Sequence, residues 1–514
     1  MGIRRRRWTS IFALTALSAS ASASAIAADD DAKVKIPRVM MESGEVTNVI
    51  DAFDDDDPFD LNVSLGFQYE TKSARVLRES TIFEPGLTTG GYVSNMMTVG
   101  QYTENTSRLI PQLDIGIYKD LAFYARFPIV LSNTRGIDEI DGSADQISTV
   151  LQGAPGEVLF GLPFQAPDRS GLEYVALGLD VNIFNQARDW TKPTWLFGIE
   201  TRISAGEAMH ACTSSPIDGQ VECADPADVN RNNRFDADVA APQDPNINLE
   251  GRNIDTDRGP GSTRGTVGLE NHTMMSKRVK YIEPYGGVSA LFEFQQGDND
   301  FGATDLEGAL VNHPPLRGKI TLGIMFIPWE DREDFGRLTF DLQFAGEYIS
   351  EGRDYSELFD ALGSSSVRSL RDPKWARFRP ACAAGEFCDP ASVVDTGSDK
   401  TYFTGLSVVE AHGSYRMAGS ATWQASEYFK LTAGLGFRFD QAHGISHDQP
   451  CNPDFTDNVG ESGPCHTGDA ATTGIRATGI PNPAFRAPIN TVGRRFYVDE
   501  IMTFDVFAKG VVMF

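Results

Sequence analysis

The chain has 514 residues, and its 45 lysines and arginines against 71 aspartates and glutamates give a formal net charge of −26 at pH 7. This acidity excludes a protein built to bind nucleic acid, because phosphate binding needs patches of lysine and arginine. Beyond the N-terminal segment there is no apolar run of about 18 residues or more, which excludes a transmembrane helix.

Residues 1–27 have the pattern of a secretory signal peptide. Arg4–Arg7 are basic, residues 11–17 form a short apolar core, and residues 25–27, Ala-Ile-Ala, fit the small-residue cleavage pattern. The apolar run is too short to cross a bilayer as a helix. We therefore predict cleavage after Ala27 and export from the cytoplasm.

Residues 28–58 are acidic and lack a strong pattern. Val46, Val49, Ile50 and Phe53 have roughly helical spacing ahead of the acidic run 54–57. Two alternatives stay open for this segment: a short helix in the mouth of a barrel, or an acidic leader in the periplasm. The composition favours the acidic periplasmic leader.

Alternation between apolar and polar residues dominates the chain from residue 59 onward. In the last segment the even-numbered residues from Phe504 to Phe514 are apolar or small, whereas the odd-numbered ones include Asp505 and Lys509. Such a strand suits a wall with lipid on one side and water on the other. Twelve segments have this pattern: 59–70, 108–118, 121–131, 172–184, 194–205, 264–275, 281–295, 316–328, 337–349, 409–425, 429–440 and 500–514.

The connections between these segments alternate in length. The long ones are 71–107, 132–171, 206–263, 296–315, 350–408 and 441–499, and the short ones between them are 119–120, 185–193, 276–280, 329–336 and 426–428. Outer-membrane barrels have an even number of strands, short periplasmic turns and long outer loops. The sequence therefore predicts an all-β fold: a transmembrane antiparallel up-and-down β-barrel of about 12 strands over residues 59–514.

Aromatic residues gather where the predicted strands meet the short connections. Trp195, Trp329, Trp423 and Phe429 all lie at such ends. Trp and Tyr concentrate where a protein leaves the membrane, so this grouping predicts an aromatic belt at the periplasmic surface.

The terminal Phe514 resembles the C-terminal aromatic signal of Gram-negative outer-membrane β-barrel proteins. That resemblance implies an outer-membrane location, with outer-membrane lipid and the barrel-assembly machinery as partners. Residues 113–121, Leu-Asp-Ile-Gly-Ile-Tyr-Lys-Asp-Leu, with 127–130 look like the second hairpin of barrels grouped with aromatic-degradation pathways, and 198–206 is similar to a later strand of that group. Those barrels resemble long-chain fatty-acid channels, which implies a small, hydrophobic solute as a further partner.

Six cysteines fall into three close pairs: Cys212 with Cys223, Cys382 with Cys388, and Cys451 with Cys465. An even number of cysteines in an exported chain predicts disulfides, and closeness in sequence favours these three local pairings. A zinc site is the weaker reading, because no C-x-x-C spacing is present. Each pair lies in a long connection, so we predict three outward-facing loop disulfides.

Charged residues on the polar face of the segments are predicted to line the lumen. They are Arg108, Asp114, Arg126, Asp180, Glu200, Arg202, Glu283, Arg317, Lys319, Glu347, Arg416, Arg438 and Asp440. Acids and bases are interleaved, so no ring of a single sign is predicted. Glycines on the same face predict open space along a solute path; they are Gly66, Gly116, Gly178, Gly323, Gly434 and Gly436.

Residues 228–238 resemble a calcium loop of the dockerin or EF-hand kind. Oxygen ligands for Ca²⁺ would come from Asp228, Asn230, Asn232, Asp236 and Asp238. The position usually held by a bidentate glutamate is a valine, and Asn- and Asp-rich turns also occur without metal. A calcium site and a solvated turn-rich loop therefore both stay open.

Three functions are compatible with these patterns. The favoured one is a channel for passive or facilitated passage of small, hydrophobic molecules. The alternative is a structural or adhesion barrel that acts through its acidic, disulfide-closed outer loops. The third is a lipid hydrolase that uses His412 and Ser414 with Glu410, but alternation points these side chains into the lumen, so no enzyme is expected.

Overall fold

The structure is a computed structural model, and it describes residues 46–50, 52, 60–84, 91–140, 150–153, 157–214, 221–223, 259–296, 300–301, 311–331, 333–365, 367, 370, 403–448, 486–490 and 493–514. Within those ranges, no helix is long and apolar enough to cross a membrane.

Strands account for most of the described chain. In order they are β1 (Leu61–Glu84), β2 (Gly91–Tyr118), β3 (Leu121–Arg126), β4 (Ile129–Asp138), β5 (Phe164–Gln165), β6 (Arg169–Leu172), β7 (Val175–Phe184), β8 (Thr194–Ile203), β9 (Cys212–Ser214), β10 (Val221–Cys223), β11 (Thr266–Ser276), β12 (Ile282–Gln295), β13 (Arg317–Asp331), β14 (Gly336–Ile349), β15 (Gly352–Asp354), β16 (Ser407–Val409), β17 (His412–Ser426), β18 (Phe429–Asp440), β19 (His443–Gly444) and β20 (Phe496–Met513). Two short helices are α1 (Phe359–Gly363) and α2 (Ala487–Asn490).

Twelve of these strands form one closed antiparallel barrel, in the order β1-β2-β3-β7-β8-β11-β12-β13-β14-β17-β18-β20. The ring closes at β1, where Asn62 pairs with Asp114 of β2 on one side and with Met513 of β20 on the other. Closure leaves no unpaired strand edge, which a wall in lipid requires. The predicted fold, an outer-membrane type of β-barrel, is confirmed.

The barrel has a broad apolar belt on its outer surface. On β13 the belt residues are Ile320, Leu322, Ile324 and Phe326, all exposed, while the side chains between them face the lumen. The other long strands repeat this pattern. We call the part of the barrel within this belt the membrane zone.

The short connections lie together at one end of the barrel, at 119–120, 185–193, 277–281, 333–335 and 427–428. Exposed aromatic residues surround this end, as the sequence predicted; they include Tyr118, Tyr281, Trp329, Trp423, Tyr428, Phe429 and Phe514. The opposite end carries longer connections with one exception. The prediction of a long outer connection over residues 71–107 is wrong. Strand β1 continues to Glu84 and β2 begins at Gly91, so only residues 85–90 connect them.

Above the belt, β1, β2, β4 and the start of β20 continue as what we call the outer zone. Its inner face packs against a cap, which consists of α1, α2, β15, β16, β19 and segments 150–153 and 157–165. Strand residues Val76, Tyr102, Ile137 and Phe496 form one buried apolar core with cap residues that include Leu151, Leu159, Leu358, Leu362, Ile445 and Ile489. The outer mouth of the barrel is therefore filled by a packed core.

Candidate functional site: the barrel lumen

The lumen of the membrane zone holds a cavity of about 480 Å³, which we call the lower cavity. Five cations line it: Arg126, Arg202, Lys319, Lys430 and Lys509. Four carboxylates also line it: Asp114, Asp180, Glu200 and Glu270. Cations thus slightly exceed carboxylates in the lower cavity, although the chain as a whole is strongly acidic.

The carboxylates of the lower cavity are concentrated on one wall and are held there by neighbouring donors. Glu200 of β8 accepts from Arg126 at 2.7 Å, from Arg202 Nε at 2.6 Å and from the Tyr124 hydroxyl at 2.8 Å. Arg202 also binds Glu270 of β11. Charge-assisted bonds of this kind fix side chains against the wall and keep the cavity open.

The same wall carries a histidine. His272 Nε2 of β11 lies 2.9 Å from Asp180 Oδ1 of β7, and a β-carbon at Gly198 between them would come within 2.2 Å of both side chains. On the other side of the ring, Lys319, Lys430 and Lys509 come from β13, β18 and β20. A solute in the lower cavity therefore lies between a wall of paired acids and a wall of lysines.

The N-terminal segment lies across the short-loop end of this cavity. Val46, Asn48, Val49 and Ile50 line it. Ala52 exchanges backbone hydrogen bonds with Lys119, the turn residue between β2 and β3, at 3.3 and 2.8 Å. Two alternatives were open for residues 28–58: a short helix in the barrel mouth or an acidic leader. The described residues 46–50 and 52 lie in the barrel mouth, but they do not form a helix.

A second cavity of about 150 Å³, the upper cavity, lies further toward the cap. Lys72 of β1 binds Glu357 at 2.7 Å, and Arg317 lies 3.5 Å from Asp354 of β15. Burial alone would raise the pKa of the Glu357 carboxyl, but Lys72, His443 and hydrogen bonds together outweigh this and hold its pKa below the ordinary value. Cap residues and barrel residues together form this cavity.

Arg416 and Asp505 lie along their strands between the two cavities. Arg416 Nη2 of β17 donates to Asp505 Oδ2 of β20 at 2.8 Å, across β18. At this level β18 has Gly436, where a β-carbon would come within 2.6 Å of both side chains. The ion pair therefore lies against the barrel wall, over Gly436, between the levels of the two cavities.

The residues that the sequence placed in the lumen are distributed over these features. Asp114, Arg126, Asp180, Glu200, Arg202 and Lys319 line the lower cavity, and Arg317, Glu347, Arg438 and Asp440 line the upper one. Arg416 lies between them, Arg108 is bound to Glu173 at 3.1 Å, and Glu283 is fully buried against Ser276 at the short-loop end. Sequence reasoning missed Lys72 and Glu357; Lys72 continues the inward face of β1 beyond the expected end of that strand.

Three of the six lumen glycines, Gly178, Gly323 and Gly434, do not leave the open space that the sequence predicted for them. The ring of Tyr124 lies over Gly178, the ring of Tyr285 lies over Gly323, and the ring of Phe507 lies over Gly434. A β-carbon at Gly178 or Gly323 would approach the covering ring to 2.2 Å. These glycines accept aromatic rings that lie flat on the wall, so the free space comes from elsewhere.

Glu410, His412 and Ser414 do not form a catalytic arrangement. His412 Nδ1 bonds to the backbone carbonyl of Glu410 at 2.9 Å, not to its carboxylate. The Glu410 carboxylate instead accepts from the backbone amide of Gly444 at 3.0 Å. A nucleophilic serine needs a histidine that is oriented by an acid, and this arrangement does not supply one.

One predicted disulfide is confirmed, because Cys212 and Cys223 are bonded and link the short strands β9 and β10. The other two predicted pairs, Cys382 with Cys388 and Cys451 with Cys465, lie outside the described residues. The proposed calcium ligands Asp228, Asn230, Asn232, Asp236 and Asp238 also lie outside them.

No known family model and no curated protein sequence matches this chain. Solved structures that are similar include a Pseudomonas aeruginosa FadL homologue (8% identity, 88% of this chain and 90% of that chain covered, TM-score 0.29). The toluene transporter TodX from Pseudomonas putida is similar over 92% of each chain at 7% identity and a TM-score of 0.29. The outer membrane protease OmpT from Escherichia coli is similar over 91% of this chain and 100% of its own, at 8% identity and a TM-score of 0.24. The fold assignment rests on the strand pairing described above.

Proposed function

We propose that the chain is an outer-membrane channel for small hydrophilic molecules. The observation that carries this proposal is the lower cavity, a space of about 480 Å³ enclosed by one closed barrel and lined by charged side chains. Its volume falls in the range of pockets that accept small molecules, which is about 300–1,000 Å³. The apolar belt and the aromatic surround of the short-loop end support a position across the outer membrane.

The lining favours hydrophilic over hydrophobic solutes. An apolar molecule in the lower cavity would remove water from Arg126, Lys319 and Glu270 without offering them hydrogen bonds, which is costly for charged groups. A polar or ionic solute can replace that water. The proposal therefore replaces the hydrophobic solute expected from the sequence with small polar molecules and ions.

Ion conductance through planar lipid bilayers tests the channel. We expect the mature protein to give stepwise conductance. Lys319→Glu should make the channel more selective for cations, because it reverses one lumen charge, and the reversal potential in a salt gradient measures this change. Ile320→Leu is the matched control, since Ile320 is the next residue and faces lipid. The same selectivity in wild type and in Lys319→Glu would contradict a path through the lower cavity.

A second candidate function is a closed structural or adhesion barrel, and the cap favours it. Leu358, Leu362 and Phe496 are completely buried in the core that fills the outer mouth. This reading predicts that the wild type does not conduct, whereas a variant with a disrupted cap, such as Leu362→Asp, does. Conductance by the wild type would exclude this candidate.

A further inference from the structure

Two histidines form a stacked pair in the upper cavity. The rings of His412, at the start of β17, and His443, in β19, are parallel within 4° with centroids 3.7 Å apart. Both side chains line the cavity. The pair therefore joins the barrel wall to the cap, at the level where a solute would pass between the wall and the cap.

Hydrogen bonds fix which ring nitrogen carries the proton in each histidine. His412 Nδ1 lies 2.9 Å from the Glu410 carbonyl oxygen, and His443 Nδ1 lies 2.7 Å from the Gln441 carbonyl oxygen. A carbonyl oxygen only accepts hydrogen bonds, so each Nδ1 is the donor. In the neutral rings, Nε2 is then the basic atom, and it is the atom that takes up a proton when the pH falls.

Charged side chains from five strands and from the segment ahead of α1 line the upper cavity around this pair. They are Lys72 of β1, Arg317 of β13, Glu347 of β14, Asp354 of β15, Glu357 ahead of α1, and Arg438 and Asp440 of β18. The uncharged polar groups Tyr355, Ser356 and Ser414 complete the polar lining. Three cations face four carboxylates, so the cavity has a formal net charge of −1 when both imidazoles are neutral.

The cavity also contains polar atoms that the protein leaves without hydrogen bonds. Arg317 Nε, Arg438 Nε and Asp440 Oδ1 are buried and have no hydrogen-bond partner among the described residues. Arg438 Nε and Asp440 Oδ1 lie 3.5 Å apart, as an ion pair without a hydrogen bond. Buried polar groups of this kind favour an occupant that can bond to them, such as water or a small ion.

We propose that the His412–His443 pair determines the charge selectivity of the channel and changes it with pH. This inference rests on the proposed channel function. With both rings neutral the upper cavity is negative and favours cations. One proton brings its formal charge to zero and a second makes it positive, which favours anions. Two imidazolium rings 3.7 Å apart repel each other, so the second proton requires the rings to separate.

The test is the reversal potential of the mature protein in planar bilayers under a KCl gradient, at pH 8 and at pH 5. We expect the ratio of K⁺ to Cl⁻ permeability to fall by about twofold or more on acidification, from the added charge at close range. The double variant His412→Gln, His443→Gln cannot take up these protons, and it should keep its pH 8 selectivity at pH 5. The single variant His412→Gln should lose about half of the shift, and it replaces the double variant if that one fails to fold.

His313→Gln is the matched control, because His313 is exposed and lines neither cavity. It should keep the full pH shift. The inference alone is overturned if the wild type conducts with a selectivity that does not change with pH, if the shift survives in the double variant, or if His313→Gln removes it. If the wild type does not conduct at all, the proposed function is overturned and this inference with it.

Discussion

Strand β20 places its apolar side chains on opposite faces in its two halves. In the membrane zone, Phe504 and Val506 point outward and are exposed, whereas in the outer zone Phe496 and Val498 point inward and are fully buried. The change occurs at Glu500, which has a positive φ of 51° and lies where the pairing with β1 shifts register. The bulge inserts one extra residue into β20, so even-numbered side chains point outward on one side of it and inward on the other. The apolar side chains of each half therefore face lipid or the packed core, not water.

The same physical effect explains both halves. Apolar side chains avoid water, and water lies inside the barrel in the membrane zone but outside it in the outer zone. Strand β1 achieves the same inversion without a bulge: Leu65 and Phe67 face outward below, while Ala74 and Val76 face inward above. The membrane zone should therefore tolerate truncation of apolar side chains, and the outer zone should behave like the core of a soluble domain.

The largest expected effect tests this contrast within β20. Phe496→Ala should lower the free energy of unfolding by about 4 kcal/mol, because it leaves a cavity in the packed core. Phe504→Ala should cost less than half as much, since lipid or detergent fills the space. Denaturant unfolding in lipid vesicles measures both. Equal losses would mean that the two zones do not differ as described.

Ion pairs should show a similar contrast. Asp360 of α1 accepts from Arg169 Nη1 at 3.2 Å, and both side chains are buried between the cap and the barrel. Asp360→Asn leaves the buried Arg169 charge uncompensated and should cost about 3 kcal/mol. The control is Asp189→Asn, whose exposed pair with Lys192 lies on a turn at the short-loop end. Protease cleavage of the cap should increase only in Asp360→Asn; unchanged cleavage would show that this pair does not hold the cap.

Within the membrane zone, the glycines under aromatic rings should be the sensitive positions. Gly178→Ala would force the Tyr124 ring away and break its 2.8 Å hydrogen bond to Glu200, at a cost of about 2 kcal/mol. Gly318→Ala is the control, because no heavy atom lies within 4 Å of its β-carbon position. Thermal unfolding followed by gel mobility compares the two variants. Equal midpoints would argue against a role for the covering ring.

The smallest expected effect is on the loss of stability at acidic pH. In the outer zone, burial alone would raise the pKa of Glu104, but Arg135 and Lys72 lower it from 4.5 to about 2. Because the folded-state pKa is lowered, Glu104 stabilises the fold fully above about pH 4.5, and this stabilisation is lost as the pH falls toward 2. The free energy of unfolding should therefore fall less between pH 5 and pH 3 in Glu104→Gln than in wild type. Parallel curves would contradict this assignment.

Much of the barrel could be predicted from alternation alone, because a strand between lipid and water must alternate. The predicted segments 194–205 and 429–440 match β8 and β18 almost residue for residue. The outer halves of β1 and β2 could not be predicted in this way. There Thr71, Ser73 and Arg75 face water, so the apolar-outward pattern that indicates a membrane strand is missing.

The lumen residues could be named from the sequence, but their partners could not. Arg126 and Glu200 belong to β3 and β8, which are separated by β7, and they meet across that strand because of the strand order of the barrel. The stacked histidines are 31 positions apart in number, and the path of the chain after β18 brings them together. The glycines show the same limit. The sequence shows that these positions have no side chain, but it does not show which aromatic ring lies over each glycine.

The sequence by itself determined the strand number, the lipid-facing residues and the end of the barrel that carries short turns, because these follow from which side chains can face lipid. Only the tertiary structure decided that the outer mouth is filled by a cap, that residues 46–50 enter the opposite mouth, and that the lumen divides into two charged cavities. Those features depend on contacts between segments far apart in the chain. No local pattern of polarity encodes such contacts, because a polar face suits a water-filled lumen, a paired network or a solvated loop equally well.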